Sequence, residues 1–265
     1  MDILTHTLTG VAVAFTAGNL RGVKTKSLVV VIAVAAIGGA LPDIDAISLW
    51  SGFDATFGTW FNLEHTGRQI YSARLWYSHH AFFHSLLASI MFTAFLAIGL
   101  FGKSVFIKSN GALKKNLNVK LTVLVSFFLA YNFHLLEDML TPSSSWGGVA
   151  YLWPASNYTG GWGHIWWWNN YDLFALVLIV ILANAGIHLL LRNRRAVMLL
   201  SLVFFMVGLV TASRQIGSRQ LNYNYSGSKD YMKMEEQSLN EQKDILGERA
   251  YNMMRRLDNA LPFYF

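Results

Sequence analysis

Residues 119–140 read VKLTVLVSFFLAYNFHLLEDML, an apolar run whose last turns carry a histidine and two carboxylates. A helix needs about 20 largely apolar residues to cross a hydrocarbon core of roughly 30 Å, so this run predicts a transmembrane span, Val119–Leu140. His134 and Asp138 are four residues apart and share one face of that helix. Ionisable side chains are costly in or beside a bilayer, and their presence at the end of a span indicates a site.

Similar runs elsewhere in the chain predict further spans. The chain is 54% hydrophobic and only 14% charged, as is typical of a membrane protein. The further spans are Ala81–Phe101, Leu173–Leu191, the slightly shorter Ala196–Ala212, and the weaker Ile3–Leu20 and Leu28–Leu41. We therefore expect an all-α, polytopic helical membrane protein with about five to six transmembrane helices, its membrane-embedded domain covering residues 1–212.

The remaining residues, 213–265, differ in composition and are close to neutral. Apolar residues recur there near helical spacing, at Leu239, Leu246, Ala250, Met253 and Leu257. This pattern predicts an amphipathic C-terminal helical tail that lies on the outer membrane surface or folds over the site.

The basic residues predict the orientation of the spans. They cluster in alternate loops, at Arg21, Lys24 and Lys26, at Lys103, Lys108, Lys114 and Lys115, and at Arg192, Arg194 and Arg195. Short loops rich in Lys and Arg stay in the cytoplasm, whereas Glu137–Asp172 contains neither residue. We expect a multi-pass protein of the inner (cytoplasmic) membrane, with His134 and Asp138 on the non-cytoplasmic side.

Candidate metal ligands occur in four clusters, each at the predicted non-cytoplasmic end of an apolar segment. They are His6, Asp43 with Asp45, His79 with His80 and His84, and His134 with Asp138. One shared site explains this placement better than four unrelated coincidences. The chain has no cysteine, so a divalent metal would have nitrogen and oxygen ligands only. Zn²⁺ is the expected ion, with Mn²⁺ or Mg²⁺ as alternatives.

Three of these clusters leave alternatives open. Taken alone, His134 and Asp138 could form a hydrogen bond at the end of their helix instead of binding a metal. Asp43 and Asp45 follow a proline, where their carboxylates could cap a helix instead of holding a metal. His80 and His84 have helical spacing, whereas His79 and His84 would need a turn or a helix start between them. Either His79 or His80 could therefore be the ligand.

The four clusters resemble, in order and in residue type, a family of YdjM-like inner-membrane-associated proteins described as LexA-binding and as metal-dependent hydrolases. The similar segments are Thr5-His-Thr-Leu-Thr-Gly10, Gly39-Ala-Leu-Pro-Asp-Ile-Asp45, His79 to Ser85, His134-Leu-Leu-Glu-Asp138, Thr141 and Leu152-Trp-Pro154, which together cover about residues 1–156. The resemblance implies a metal-dependent hydrolase. A more distant similarity links the pattern to helical zinc phospholipases C and single-strand nucleases.

The chain departs from the family pattern at two motifs. The third motif usually reads His-Arg-x-x-Thr-His-Ser, which aligns its histidines with His79 and His84. His80 then stands where the family has an arginine, and Phe83 replaces its threonine. The usual Leu-Leu-Asp of the fourth motif is Leu136-Glu-Asp138 here, which keeps the carboxylate.

This set of residues suits the hydrolysis of a phosphate ester. The candidates outnumber the ligands of one four-coordinate zinc, so two metals, or one metal with hydrogen-bonded partners, fit better. Such metals activate water and neutralise the charge on a phosphate in the transition state. Asp45 or Glu137 is the expected general base if it is not a ligand. We expect a membrane-bound hydrolase that acts on a lipid or lipid-linked substrate at the non-cytoplasmic face.

Other functions fit the sequence less well. A transporter would place ionisable groups near the membrane midplane, and no nucleic-acid partner is expected because the +6 net charge follows from topology. The main alternative is a non-enzymatic membrane protein with a structural metal site or a partner-binding, regulatory role. The tryptophan-rich stretch Ser143–Asn170 predicts an aromatic belt at the membrane interface, or one wall of a lipid or sugar pocket. The sequence leaves the oligomeric state open.

Overall fold

The computed structural model describes residues 1–106, 116–219, 222–223 and 230–261, and over these ranges the protein is helical without a β-strand. Two isolated β-bridges are its only extended pairings within those ranges. The helices are α1 (Ile3–Arg21), α2 (Thr25–Ala40), α3 (Gly67–Ser72), α4 (Leu86–Phe106), α5 (Leu117–Met139), α6 (Tyr171–Leu190), α7 (Arg194–Ser218) and α8 (Tyr231–Ala260). The predicted all-α class is confirmed.

Five of the described segments are long and apolar enough to cross a membrane. They are α1, α2 with the 3-10 segment that follows it (Thr25–Leu49), α5, α6 and α7. The described apolar part of α4, Leu86–Gly102, is shorter. The count agrees with the predicted five to six spans, and both weak predictions at the amino terminus are helices. The third span begins at Leu86 and not at Ala81, because residues 82–84 form a 3-10 turn and Ser85 is extended.

The first helix, α1, has a capping residue at each end. The side chain of Asp2 caps α1 by accepting a hydrogen bond from the Thr5 amide at 2.8 Å. Gly22 ends the helix in the left-handed conformation at φ 63°, and its amide donates to the carbonyls of Asn19 and Gly18. These caps fix the start of α1 and thereby the position of His6, one turn in.

Glycine lets α1, α2 and α5 approach one another closely. A Cβ on Gly10 would lie 2.4 Å from the Ala35 carbonyl oxygen, and one on Gly39 would lie 2.3 Å from that of His6. Small residues permit such backbone contact between membrane helices. The start of α1 is thereby brought against the end of α2, and α5 packs on both.

A buried polar network ties α1 to α6 and α7 at the end of the bundle away from the candidate ligands. The Asn19 amide nitrogen donates to the Asn184 carbonyl at 3.1 Å and to the Ser201 hydroxyl at 2.8 Å. The Asn19 side-chain oxygen lies 2.7 Å from His188 Nδ1, whose other ring nitrogen faces Thr25 at 3.1 Å. Satisfied polar groups of this kind fix which helices pair.

The segments between the helices cover the ligand end of the bundle. Residues 41–85 contain a 3-10 segment (Leu41–Leu49), a π turn (Asp54–Gly58), α3 and a second 3-10 turn (Phe82–His84). Residues 140–170 fold back on them. The Ala150 amide donates to the His80 carbonyl at 2.8 Å, and the Trp146 indole donates to the Tyr71 carbonyl at 2.6 Å.

The C-terminal tail is helical as predicted, but the predicted apolar face is only partly correct. Leu239 and Leu246 pack against the membrane domain, whereas Met253 and Leu257 are 65% and 43% exposed. Gly247 interrupts the helix at φ 73°, ψ 158°, and this break changes which face is buried after it. The buried residues beyond the break are Tyr251, Met254 and Asp258. They pack on α6, and the cluster includes Leu4 and Leu8 of α1. Residues 262–265 lie outside the described part.

Candidate metal centre

The structure places all the predicted ligands at one end of the helical bundle. His6 lies near the start of α1, and Asp43 and Asp45 lie in the 3-10 segment after α2. His79, His80 and His84 precede α4, and His134, Glu137 and Asp138 lie in the last turns of α5. The ends of three helices and the segment before a fourth therefore converge, as the sequence pattern predicts.

Four side chains direct one atom each to a common point. His134 Nε2 lies 3.0 Å from Asp138 Oδ2, and His84 Nε2 lies 3.4 Å from that oxygen and 3.3 Å from His134 Nε2. Asp43 Oδ1 is 3.5 Å from His84 Nε2 and 3.6 Å from His134 Nε2. Zinc bonds of about 2.0–2.2 Å at tetrahedral angles put neighbouring ligand atoms roughly 3.3–3.6 Å apart. Four of these five distances lie in that range and the fifth, between His134 and Asp138, is shorter, so the four atoms could hold a metal ion.

The other ring nitrogen of each of these histidines has a fixed partner. His134 Nδ1 lies 2.7 Å from the Gly39 carbonyl and can only donate to it. His84 Nδ1 lies 3.1 Å from Asp45 Oδ2. A donor at Nδ1 leaves the lone pair on Nε2, which faces the common point. This is how proteins orient metal-binding histidines.

Asp138 Oδ2 is buried and accepts no hydrogen bond from the described residues. The Nε2 atoms of His134, His84 and His80 face it, the last at 3.8 Å. A buried carboxylate oxygen without a donor is costly, and a cation at this point would satisfy it together with the nitrogen lone pairs. The donor set therefore fits a divalent metal on the geometry of this chain alone.

His79 and His80 form a second group with His84, whose ligand atoms lie within 4.8 Å of one another. The segment is a turn, with His80 at φ 65°, so the predicted helical spacing of His80 and His84 is not realised. His80 Nδ1 contacts the Gly148 carbonyl at 3.0 Å, and His79 Nδ1 contacts Asp45 Oδ1 at 2.7 Å. His80 Nε2 lies 3.8 Å from Asp138 Oδ2 of the four-atom cluster, whereas His79 is held by Asp45.

His6 and Glu137 extend the cluster on its other side. His6 Nε2 lies 3.0 Å from Asp138 Oδ1, and its ring stacks on that of His134 with centroids 3.7 Å apart. His6 Nδ1 lies 2.6 Å from Glu137 Oε2, while Thr9 donates to the other Glu137 oxygen at 2.7 Å. The amino group of Met1 also pairs with Asp138 Oδ1. Asp138 therefore lies between two groups of histidines.

The pKa values of His80 and His84, both in the segment before α4, shift in opposite directions. Burial opposes the charged form of His84, but Asp45, Asp138 and Asp43 outweigh burial and raise its pKa well above the usual value. Burial and the neighbouring His79 and His84 lower the pKa of His80 well below that value. The carboxylates thus favour positive charge at this point, which a proton or a metal ion can supply.

Two aromatic residues lie against the histidines of the site. Nothing in the sequence pattern indicated Tyr71, whereas Trp146 belongs to the tryptophan-rich stretch Ser143–Asn170. Tyr71 of α3 stacks on His79 with ring centroids 4.5 Å apart, and Trp146 packs against His79 and His80 at 5.0 and 4.6 Å. Trp146 is buried, unlike a belt residue at the membrane interface. Trp146 therefore packs against the site histidines, and the lipid or sugar pocket stays a prediction. By contrast, Trp60 and Trp76 are 72% and 63% exposed.

The fold and the cluster define a polytopic helical membrane protein with a buried histidine and carboxylate site at one end of its helices. Residues 1–217 match the family of the YdjM inner membrane protein, and the chain belongs to this family. The match confirms the resemblance and extends it through α6 and α7. It also supports a multi-pass position in the inner membrane. The curated proteins and the solved structures contain no match to this chain.

Proposed function

We propose that this protein is a metal-dependent hydrolase that acts on a phosphate ester of a lipid or lipid-linked substrate at the non-cytoplasmic face of the membrane. The observation that carries the proposal is the convergence of His84 Nε2, His134 Nε2, Asp43 Oδ1 and Asp138 Oδ2 at 3.0–3.6 Å in the five measured pairs. Their position at the helix ends supports a reaction at the depth of the lipid headgroups.

A bound divalent metal would polarise a phosphoryl oxygen and make a water nucleophilic at neutral pH. The side chains of this protein would supply the ligand atoms and orient them. His84 and His134 present their Nε2 lone pairs because Asp45 and the Gly39 carbonyl hold their Nδ1 atoms. Asp138 contributes Oδ2 to this cluster and turns Oδ1 towards His6.

The two predicted general bases differ in their surroundings. Both oxygens of Asp45 face histidine Nδ1 atoms, and its side chain is 1% exposed. The side chain of Glu137 is 16% exposed, and it holds His6 Nδ1 at 2.6 Å. We assign Asp45 to positioning His79 and His84. Glu137, the more exposed of the two, would be the general base, and His6, whose ring nitrogens face Glu137 and Asp138, would orient it.

The same four-atom cluster supports a second candidate function. Structural zinc sites are usually filled by four protein ligands, whereas catalytic sites keep one position open. If Asp43, His84, His134 and Asp138 all bind one ion, that ion holds α2, α4 and α5 together and catalyses nothing. This is the non-enzymatic alternative, and it predicts bound metal without turnover.

The deciding experiment is an assay of the purified protein in liposomes for release of phosphate or a phosphorylated headgroup from a panel of phospholipids and prenyl phosphates. We expect release that a chelator abolishes and Zn²⁺ or Mn²⁺ restores, with kcat reduced in Asp43→Ala and His84→Ala. Release that persists unchanged in both variants and in chelator would contradict the hydrolase proposal. Tightly bound metal with no release from any substrate would favour the structural site.

A further inference from the structure

A cavity of about 210 Å³ lies between α1, α5, α6 and α7, within the membrane-spanning segments. Its lining is almost entirely hydrocarbon, and includes Phe133, Leu176, Val177, Phe205, Leu209 and Ile216. An apolar cavity of roughly 150 Å³ in another protein stays free of water and binds benzene. This larger one can therefore take an apolar group, and it is too small for a whole lipid.

One end of the cavity reaches the candidate metal centre. Glu137 and Met1 line it, and both also contact the cluster. Glu137 Oε2 lies 2.6 Å from His6 Nδ1, and the amino group of Met1 pairs with Asp138. The apolar space and the buried ligands are thus separated only by the thickness of these side chains.

The cavity also has access to the bilayer. Leu136 of α5 and Leu209 of α7 line it although they are 49% and 41% exposed. In a membrane, the side chains at that surface meet lipid tails, which are the abundant apolar molecules there.

We propose that this cavity binds a hydrocarbon chain of the lipid substrate, entering between α5 and α7, so that the phosphate ester of that lipid lies beside Glu137 and Asp138. The substrate part of this inference rests on the proposed function. Burial of each methylene favours binding about fourfold, so a chain of a few carbons in the cavity selects lipids over water-soluble phosphate esters. The chain would also orient the headgroup towards the ligands.

Photolabelling tests chain binding without requiring turnover. The protein is placed in nanodiscs that contain phosphatidic acid with a diazirine in one acyl chain, irradiated, and mapped by peptide mass spectrometry. We expect labels on α5 and α7 at cavity residues such as Phe133 and Phe205. Ala212→Phe, which fills the cavity, should lower this labelling about tenfold, because excluding two methylenes is sufficient for that change. Val210→Phe, on the exposed face of the same helix, is the matched control.

A second variant, Leu209→Trp, narrows the exposed opening and serves if Ala212→Phe does not fold. Labels spread evenly over the exposed faces of α7, with no effect of either variant, would overturn chain binding whatever the hydrolase assay gives. If the protein hydrolyses a long-chain substrate, kcat/KM should fall in Ala212→Phe and not in Val210→Phe. If the cavity is labelled but the protein hydrolyses no lipid, the cavity binds a hydrocarbon chain that does not belong to a substrate. That result would overturn the substrate part of the inference.

Discussion

His134 Nε2 lies 3.0 Å from Asp138 Oδ2, one turn further along α5, and both side chains are buried. The same carboxylate places its other oxygen 3.0 Å from His6 Nε2. One residue thus links the first and the fifth helix, and no helical spacing could predict the second of these contacts. Asp138 is therefore the residue on which the candidate centre depends most.

Asp138→Asn should remove bound divalent metal almost completely, and His134→Ala should do the same. The amide keeps the shape of the carboxylate but not its charge, so loss of metal reports on ligation and not on packing. Elemental analysis of the purified protein in detergent measures the metal. His65→Ala is the control, because His65 is exposed. Equal metal in the control and in Asp138→Asn would remove Asp138 from the site.

Asp45→Asn should weaken metal binding by about 10–100-fold without abolishing it, the usual effect of removing a carboxylate that orients a metal-binding histidine. Its oxygens lie 3.1 Å from His84 Nδ1 and 2.7 Å from His79 Nδ1. Competition with a metal-binding dye gives the affinity. Asp43→Asn, measured beside it, should bind metal more weakly still. If the two variants rank in the opposite order, Asp45 is the ligand and Asp43 its partner.

Much of the fold could be predicted because it depends on local pattern. The lengths of the apolar runs gave the spans, and the capping residue Asp2 and the terminating Gly22 agree with the helical start and end of α1. Two predictions of the fold were wrong, and in both places the cause is the local backbone conformation. Because residues 82–84 form a 3-10 turn, α4 begins later in the chain than the apolar run does. The non-helical backbone of Gly247 changes the buried face of α8, so that Met253 and Leu257 are exposed.

The candidate site was predictable only as a list of residues. The predicted shared depth in the membrane was sufficient to group His6, Asp43, His84 and Asp138 into one site. The hydrogen-bond and packing partners of these residues could not be predicted, because they depend on tertiary contacts. The Gly39 carbonyl contacts His134 where α2 packs closely on α5, and a Cβ on Gly38 there would lie 2.8 Å from the Phe127 carbonyl oxygen. The packing of Trp146 on two histidines follows from the path of residues 140–170.

The side of the membrane that the site faces can be tested because the chain has no cysteine. His65→Cys, on the ligand end, should react with a membrane-impermeant maleimide in intact spheroplasts. Arg192→Cys, in the exposed connection between α6 and α7, should react only after lysis, since its loop is basic and predicted to be cytoplasmic. Labelling is read by a gel shift. The reverse pattern would put the centre on the cytoplasmic side.

We expect the docking of α8 to depend on a buried ion pair at the start of α6. Arg219 Nη2 donates to both oxygens of Asp172 at 2.7 and 2.8 Å, and Gln242 of α8 accepts from the Asp172 amide at 3.0 Å. Removing one partner of a buried pair costs about 3–5 kcal/mol, because the other charge stays buried. Asp172→Asn should therefore loosen α8 and expose it to proteolysis.

Limited proteolysis of the detergent-solubilised protein, followed by mass spectrometry, measures this release. We expect cleavage between residues 230 and 261 to become much faster in Asp172→Asn while residues 1–212 stay intact. Lys243→Ala is the control within α8. Its pair with Glu248, at 3.5 Å, is exposed on the surface, where such pairs contribute little. Cleavage at the same rate in wild type and Asp172→Asn would mean that the apolar contacts of Tyr251 and Met254 hold α8 without the ion pair.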